Sequence, residues 1–395
     1  MNKKTTIPLF FLAFTIPTFC EEESFWRREH LFGDWGGMRS YLEEHGLSYE
    51  LVYTGEYFGN VSGGWKRGGE YRGDLSLFLE LDTETAGWWN GGTFFVQLQE
   101  QHGKGITNDY VGDFQVLSNI DADEFAQVSE FWYRHDFFDG KLWFKLGKQE
   151  ANADFACADY ACDFTNSSGG FHPTIPLTTF PDQDWGAVMG IAPVDWFSMN
   201  IGVYQGRPDG GRSIGNTLDR FYGPMVMAEP AFHYSIADHR GHFRVGAWWN
   251  GDKVEKLSTT GVFAERYGVY LTWDQEVWRE NPADEEDKQG IGVFAQHGWT
   301  PEDRSEANHY LGGGMQWIGP IPGRDEDILG LGVFQVLFSE EAGLPKDGET
   351  AIELYYLYQM TGWMNLKPDM QYIVNPGGDG KPDALAIGMR WQILF

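Results

Sequence analysis

Ala384-Leu385-Ala386-Ile387-Gly388-Met389-Arg390-Trp391-Gln392-Ile393-Leu394-Phe395 reads as a strand with two unlike faces. Leu385, Ile387, Met389, Trp391, Ile393 and Phe395 fall on one side, and Ala386, Gly388, Arg390 and Gln392 on the other. Successive strand side chains point to opposite faces, so a period of two marks a strand with one apolar face. The same period recurs upstream. Leu75, Leu77, Leu79 and Leu81 oppose Ser76, Phe78, Glu80 and Asp82. Phe243, Val245, Ala247 and Trp249 oppose Arg244, Gly246, Trp248 and Asn250. Tyr267, Val269, Leu271 and Trp273 oppose Gly268, Tyr270, Thr272 and Asp274. Ile352, Leu354, Tyr356 and Tyr358 oppose Glu353, Tyr355, Leu357 and Gln359.

The pattern predicts about sixteen strands of roughly ten residues, the length a tilted strand needs to cross a bilayer. They fall at 47–57, 73–83, 93–101, 125–137, 141–149, 183–192, 196–205, 224–236, 241–250, 262–275, 289–298, 308–317, 327–338, 350–360, 363–374 and 384–395. The gaps between them alternate in length. Those at Asp136–Lys141, Ala192–Asp195, Ala237–Gly241 and Thr361–Gly362 are short and share one end. Those at 58–72, 102–124, 150–182 and 206–223 are long and share the other, while 276–288 is an oddly long member of the short set. Short periplasmic turns and long outer loops are the signature of an outer-membrane barrel. The apolar sets are large, with Trp and Tyr near strand ends, as lipid between aromatic girdles requires. Closure leaves no unpaired strand edge in lipid. The expected fold is therefore all-β: a transmembrane antiparallel β-barrel over 47–395. Met38, Tyr41 and Leu42, at helical spacing between Gly37 and Gly46, predict a short helix before it.

Lys3 and Lys4 ahead of the apolar run Ile7–Phe19, followed by Glu21, Glu22 and Glu23, read as a secretory signal peptide. Thr18 and Cys20 are small enough to flank a cleavage site, which gives 1–20 as signal peptide and 21–46 as a periplasmic segment with the helix. A lipid anchor on Cys20 is the alternative, and bulky Phe19 fits it poorly. The whole chain carries a net charge of −29. Such acidity argues against nucleic acid, whose phosphates need Lys and Arg. Cys157 and Cys162 are the two cysteines left after cleavage, and in an exported protein they are expected to form a disulfide. Mean hydropathy is −0.41, as in barrels whose strands face lipid with only every second residue.

Three blocks resemble the OprB-type carbohydrate-selective porins. The first is Leu31, Gly33-Asp34-Trp35-Gly36-Gly37, Arg39, Leu42 and Gly46, similar to that family's block just ahead of its barrel. The second runs from Ser129-Glu130 to Gly147-Lys148 with Asn152. The third is Pro368-Asp369, Gln371-Tyr372, Asn375-Pro376-Gly377-Gly378 and Phe395. The resemblance implies a sixteen-stranded barrel, passive uptake of glucose-like sugars and a constriction of charged, polar and aromatic side chains. It does not carry over which sugar. Phe395 fits the C-terminal signal that barrel proteins present to the assembly machinery.

Sugar hydroxyls are met by forked Arg donors and bidentate carboxylates, and sugar rings by aromatic faces. Counting from Phe131 and Tyr133 as lipid-facing puts Glu130, Trp132 and Arg134 in the lumen. The adjoining strand adds Trp143 and Lys145, with Lys148 at its end. The bland reading of this set is a salt-bridge network in the wall. Arg67 and Arg72 fall in the first outer loop, and Asn152 and Asp154 at the edge of the longest one. Glu80 and Arg390 face inward with no role assigned. No metal or other cofactor is expected, because the His residues lack paired ligand spacing and no nucleophile motif stands out. The acidic run Asp284–Asp287 reads as solvated surface.

The favoured function is a sugar-selective outer-membrane porin for small neutral sugars, in contact with lipid and lipopolysaccharide, as a homotrimer or monomer. A general or cation-preferring diffusion porin is the alternative. An exported carbohydrate-active enzyme using paired carboxylates is the reading from another class. The outward apolar sets speak against it.

Overall fold

Strand pairing closes the chain on itself. The computed structural model describes residues 24–207, 223–284 and 287–395. Its strands are β1 (Leu47–Ser62), β2 (Gly68–Asp82), β3 (Gly92–Gly103), β4 (Phe125–Phe137), β5 (Leu142–Gln149), β6 (Asp184–Val194), β7 (Phe197–Gln205), β8 (Pro224–Ile236), β9 (His239–Asn250), β10 (Val254–Glu255), β11 (Val262–Phe263), β12 (Arg266–Arg279), β13 (Gly290–Trp299), β14 (Ala307–Ile318), β15 (Ile328–Phe338), β16 (Gly348–Thr361), β17 (Met364–Val374) and β18 (Ala384–Leu394). All but β10 and β11, a separate small hairpin, join one closed antiparallel barrel of sixteen strands. β9 pairs with β12, and β1 closes on β18 with Tyr53 opposite Ile393.

Every expected strand has its counterpart, and the errors lie at strand ends. β1 and β2 pair out to Asn60 and Gly68, so the first loop shrinks from the expected 58–72 and Arg72 sits on a strand. Pairing continues beyond the residues whose alternation meets lipid, and alternation alone does not reveal that extension. The expected strand 262–275 begins at Arg266 and runs to Arg279. A register shift between Glu276 and Trp278 breaks its alternation, which made the following turn look too long. The expected signal peptide 1–20 lies outside the described residues, as do most of the loop 206–223 and part of the acidic run at 284–287.

The outer wall is apolar. Leu146, Val203, Val245, Val269, Leu311, Leu331, Leu354 and Ile387 are all exposed. Aromatic side chains mark both ends: Tyr57, Trp249 and Tyr267 at one, Phe137, Trp196, Phe232 and Tyr358 at the other. A water-facing wall would bear polar residues, whereas a belt between girdles suits lipid.

The chain's first described segment seals the barrel seam. Leu31 donates its amide to the Leu394 carbonyl at 2.8 Å. Gly36 and Gly37 take φ of 69° and 92°, left-handed values that only glycine adopts readily. They turn the chain into the helix α1 (Met38–Glu44), and Asp34 accepts the Ser40 amide at 2.8 Å. α1 places Arg39 under the seam. Its guanidinium donates to the carbonyls of Tyr49 (2.8 Å) and Phe395 (3.0 Å) and lies 4.3 Å from the Tyr49 ring centre. The Phe32 and Phe395 rings pack at 5.6 Å.

Candidate functional site

Two long loops from the end opposite the termini, 104–124 and 150–183, fold into the lumen. Wall carboxylates hold them by their main chain. Glu349 on β16 accepts the amides of Phe114 (2.7 Å), Gln115 (2.9 Å) and Gly377 (2.6 Å). Glu353, four residues on and so on the same face, accepts those of Thr165 (2.6 Å) and Asn166 (2.8 Å). Glu229 on β8 takes Ala156 (2.8 Å), Asp274 on β12 takes Tyr160 (3.2 Å) and Glu130 on β4 takes Glu150 (3.0 Å). Amide bonds to a carboxylate are charge-assisted and stronger than neutral ones. Cationic wall residues do the same for loop carbonyls: Lys367 donates to Asp163 at 2.7 Å and Arg244 to Cys157 at 3.3 Å.

A buried ionic cluster seats the first loop. Glu56 on β1 lies between Arg72 on β2, at 3.1 Å, and Arg390 on β18, at 2.7 Å. Ser118 donates to Glu56 at 2.6 Å, and Arg390 donates to the Ser118 hydroxyl (3.0 Å) and the Asn119 side chain (2.8 Å). Arg72 also pairs with Asp121 at 2.7 Å. Asp113 in the same loop is wholly buried, and burial, with the charge of Glu349 added, pushes its carboxyl up to about 8.

Between the loops is a cavity of about 480 Å³. Its lining includes Gln115, Ser118, Asn119, Asp121, Glu150, Asn152, Ser167 and Thr179, with Phe114, Phe171 and Phe180, Pro173 and Pro181, and Cys157 and Cys162. Hydroxyl, amide and carboxylate groups thus alternate with flat apolar rings, and Glu150 adds a negative charge, Asp121 being paired with Arg72.

The candidate residues from sequence are divided by the structure. Asn152 lines the cavity and donates to the Gly170 carbonyl at 2.8 Å. Arg72 and Arg390 stand directly behind it, holding residues that line it. Glu130 is set back, accepting also from Trp132 at 3.1 Å. Lys145 turns to Asp154 and lies 5.3 Å from the Trp132 ring centre. Trp132 itself stacks on Phe95 at 4.7 Å. Arg134 leaves this group: it pairs with Asp136 at 2.7 Å and covers Trp143 at 4.3 Å, toward the opposite end of the barrel. Glu130, Arg134 and Lys145 therefore share a wall but do not face one another across a gap. Lys148 is wholly buried and donates to the Val128 carbonyl at 2.8 Å. Arg67 and Glu80 are exposed, in the first loop and near the other end of β2 respectively. Cys157 and Cys162 sit together on the cavity lining with their sulfurs 2.8 Å apart.

Sequence reading missed Glu56, Ser118, Asn119, Asp121, Glu150, Phe171 and Phe180. Glu56 had a signal, since it is in phase with the inward set of β1. The rest are in loops without periodicity, where only the partners on the wall define position.

Comparison with known proteins follows the same outline. Porin B of Pseudomonas aeruginosa is 25% identical over 92% of this chain and 91% of its own. The high-pH structure of Pseudomonas putida OprB superposes with a TM-score of 0.85 at 21% identity, covering 94% of this chain and 100% of that one. The outer membrane channel DcaP of Acinetobacter baumannii shares the fold at a TM-score of 0.56 and 9% identity, over 88% of this chain and 97% of that one. The profile described as "Carbohydrate-selective porin, OprB family" matches residues 66–395. With a sixteen-stranded barrel, an apolar outer wall and that match over most of its length, the chain belongs to the OprB family of carbohydrate-selective porins.

Proposed function

We propose that this porin sits in the outer membrane of a Gram-negative bacterium and conducts small neutral sugars passively through the space between its two inward loops. The observation that carries this reading is the cavity lining, in which polar groups alternate with the rings of Phe114, Phe171 and Phe180. Polar groups replace the water a sugar sheds, and rings cover its apolar face. Each such contact is weak enough to release the sugar, as conduction requires. Planar-bilayer recordings test it. Glucose-like sugars are expected to reduce the ion current in a saturable way, and a current indifferent to sugars would refute the reading.

Cation preference is the second reading, and the acid Glu150 on the lining favours it for the ions that accompany sugars. The two properties coexist in one pore, and salt-gradient reversal potentials measure the second. In the exported protein we place Cys157 and Cys162 in a disulfide. Their position, adjacent and at one loop tip, supports it.

A further inference from the structure

We propose that Cys162 and Cys157 form a thiol–disulfide exchange site on the pore lining, with small thiols and disulfides that enter the lumen as its substrates. The pair has three properties that such a site needs. Both residues line the cavity between the loops. Cys162 is exposed and Cys157 is partly buried, so an entering reagent meets Cys162 first. The sulfurs are 2.8 Å apart, close enough for one to attack a bond formed on the other.

The surrounding tip is pinned at both ends. Arg244 holds the Cys157 carbonyl at 3.3 Å, and Lys367 holds that of Asp163 at 2.7 Å. The intervening Tyr160 amide is bound to Asp274 at 3.2 Å. The two thiols are thus kept facing one another, both within reach of the Ala158 carbonyl at 3.9 and 3.3 Å. Pinning also means that a group attached to Cys162 stays in the cavity and is not carried away by loop movement.

The chemistry balances without any further redox partner. The Cys162 thiolate attacks one sulfur of a small disulfide, forming a mixed disulfide and expelling one small thiolate. The Cys157 thiolate then attacks Cys162 of that mixed disulfide and expels the second. The protein ends with a Cys157–Cys162 disulfide, and the small disulfide ends as two thiols that carry the protons the cysteines gave up. A small thiol runs the sequence backward. Exchange proceeds through the thiolate at an accessible sulfur, which assigns attack to Cys162 and resolution to Cys157. The exchange also changes the pore transiently, because the mixed disulfide occupies part of a 480 Å³ space. This last consequence rests on the reading of that space as the conduction path.

Reduced mature protein, lacking residues 1–20 and so Cys20, treated with oxidised glutathione tests the assignment. Cys157→Ser is expected to gain one stable glutathione adduct by intact mass. Wild type should gain none and lose two hydrogens, and Cys162→Ser should react about tenfold or more slowly than Cys157→Ser. In bilayers the adduct on Cys157→Ser should lower single-channel conductance, and dithiothreitol should restore it. Equal or faster labelling of Cys162→Ser, or no labelling of either variant, overturns the exchange site. Adduct formation with unchanged conductance leaves the exchange chemistry standing and overturns the conduction path on which the gating consequence rests.

Discussion

Replacing Arg390 by alanine removes two of the bonds that seat the first inward loop. The guanidinium donates to Ser118 at 3.0 Å and to Asn119 at 2.8 Å. Glu56 keeps Arg72 at 3.1 Å, so no carboxylate is stranded without a cation. Bonds from a charged donor are worth about 1.5–3 kcal/mol each. Lumen water re-solvates the freed acceptors, so about 2–3 kcal/mol for the pair is the fitting figure. At 1.4 kcal/mol per decade, the ratio of seated to displaced loop tip falls roughly 30- to 150-fold. The loop stays attached elsewhere, through the Gln371 side chain on the Leu117 carbonyl at 2.8 Å and the amides on Glu349. The tip bearing Ser118 and Asn119, which lines the cavity, is loosened and not released, because Ser118 still donates to Glu56 at 2.6 Å. Single-channel recordings should therefore show higher mean conductance, more open-channel noise and weaker sugar block, with heat-modifiable gel mobility confirming a folded barrel. Unchanged conductance and unchanged block in a folded barrel would refute the reasoning.

Seating of the same loop should depend on pH through Asp113. Its carboxyl is raised from 3.8 to about 8, so the seated loop holds a proton that a released loop would lose. That contribution is complete below pH 3.8, declines across the window and is gone above about 8. Protease nicking within 104–124 should rise with pH, and Asp113→Asn should flatten the profile; a profile that stays steep in the variant excludes Asp113. Glu130→Gln keeps an acceptor for the Trp132 indole or the Glu150 amide, but not for both with full charge. Mild loosening of the loop base, with slightly weaker sugar block, is expected in bilayers; a change in heat stability alone would make Glu130 purely structural. Reversal potentials across a salt gradient should show cations favoured over anions, and neutralising Glu150 should reduce that preference; an anion-selective pore would contradict it. Arg39→Ala loses two carbonyl bonds at the seam and should lower the unfolding temperature of the barrel in detergent while leaving conductance unaltered; an unchanged unfolding temperature would deny the segment its sealing role.

The barrel was legible in the sequence because lipid imposes a period of two on each strand. Leu385 to Phe395 shows this without help from any neighbour. Legibility ended where the constraint ended. Arg72 lies past the lipid-facing run of β2, so it looked like a loop residue, although pairing with β1 and β3 continues through it. Phase counting placed Glu130, Arg134 and Lys145 inward but said nothing of height or side-chain direction. Arg134 is drawn away by Asp136, its neighbour two residues on, which the sequence displays but does not rank against other partners. The cavity was hidden for a further reason. Ser118, Asn119, Glu150 and Phe171 owe their positions to wall groups up to hundreds of residues distant, such as Arg390 for Asn119. Part of the acidity has a structural use that composition does not show. Glu229, Glu349 and Glu353 are not free field sources but acceptors for loop amides.

Main-chain attachment of the lumen loops has a consequence for how such a pore diverges. Glu349 and Glu353 recognise the amides of Phe114, Gln115, Thr165 and Asn166, which nearly any amino acid would supply in the same place. Side chains on the loops can then be exchanged one at a time without dismantling the scaffold that presents them. Proline is the residue such positions exclude, for want of an N–H. A mutational scan of the two loops should accordingly retune selectivity far more often than it abolishes assembly, whereas Glu349 and Glu353, each holding two loop amides, should tolerate almost no change. Solute preference and architecture are thereby encoded in separate parts of one chain, so a lineage can explore new nutrients while its barrel drifts independently.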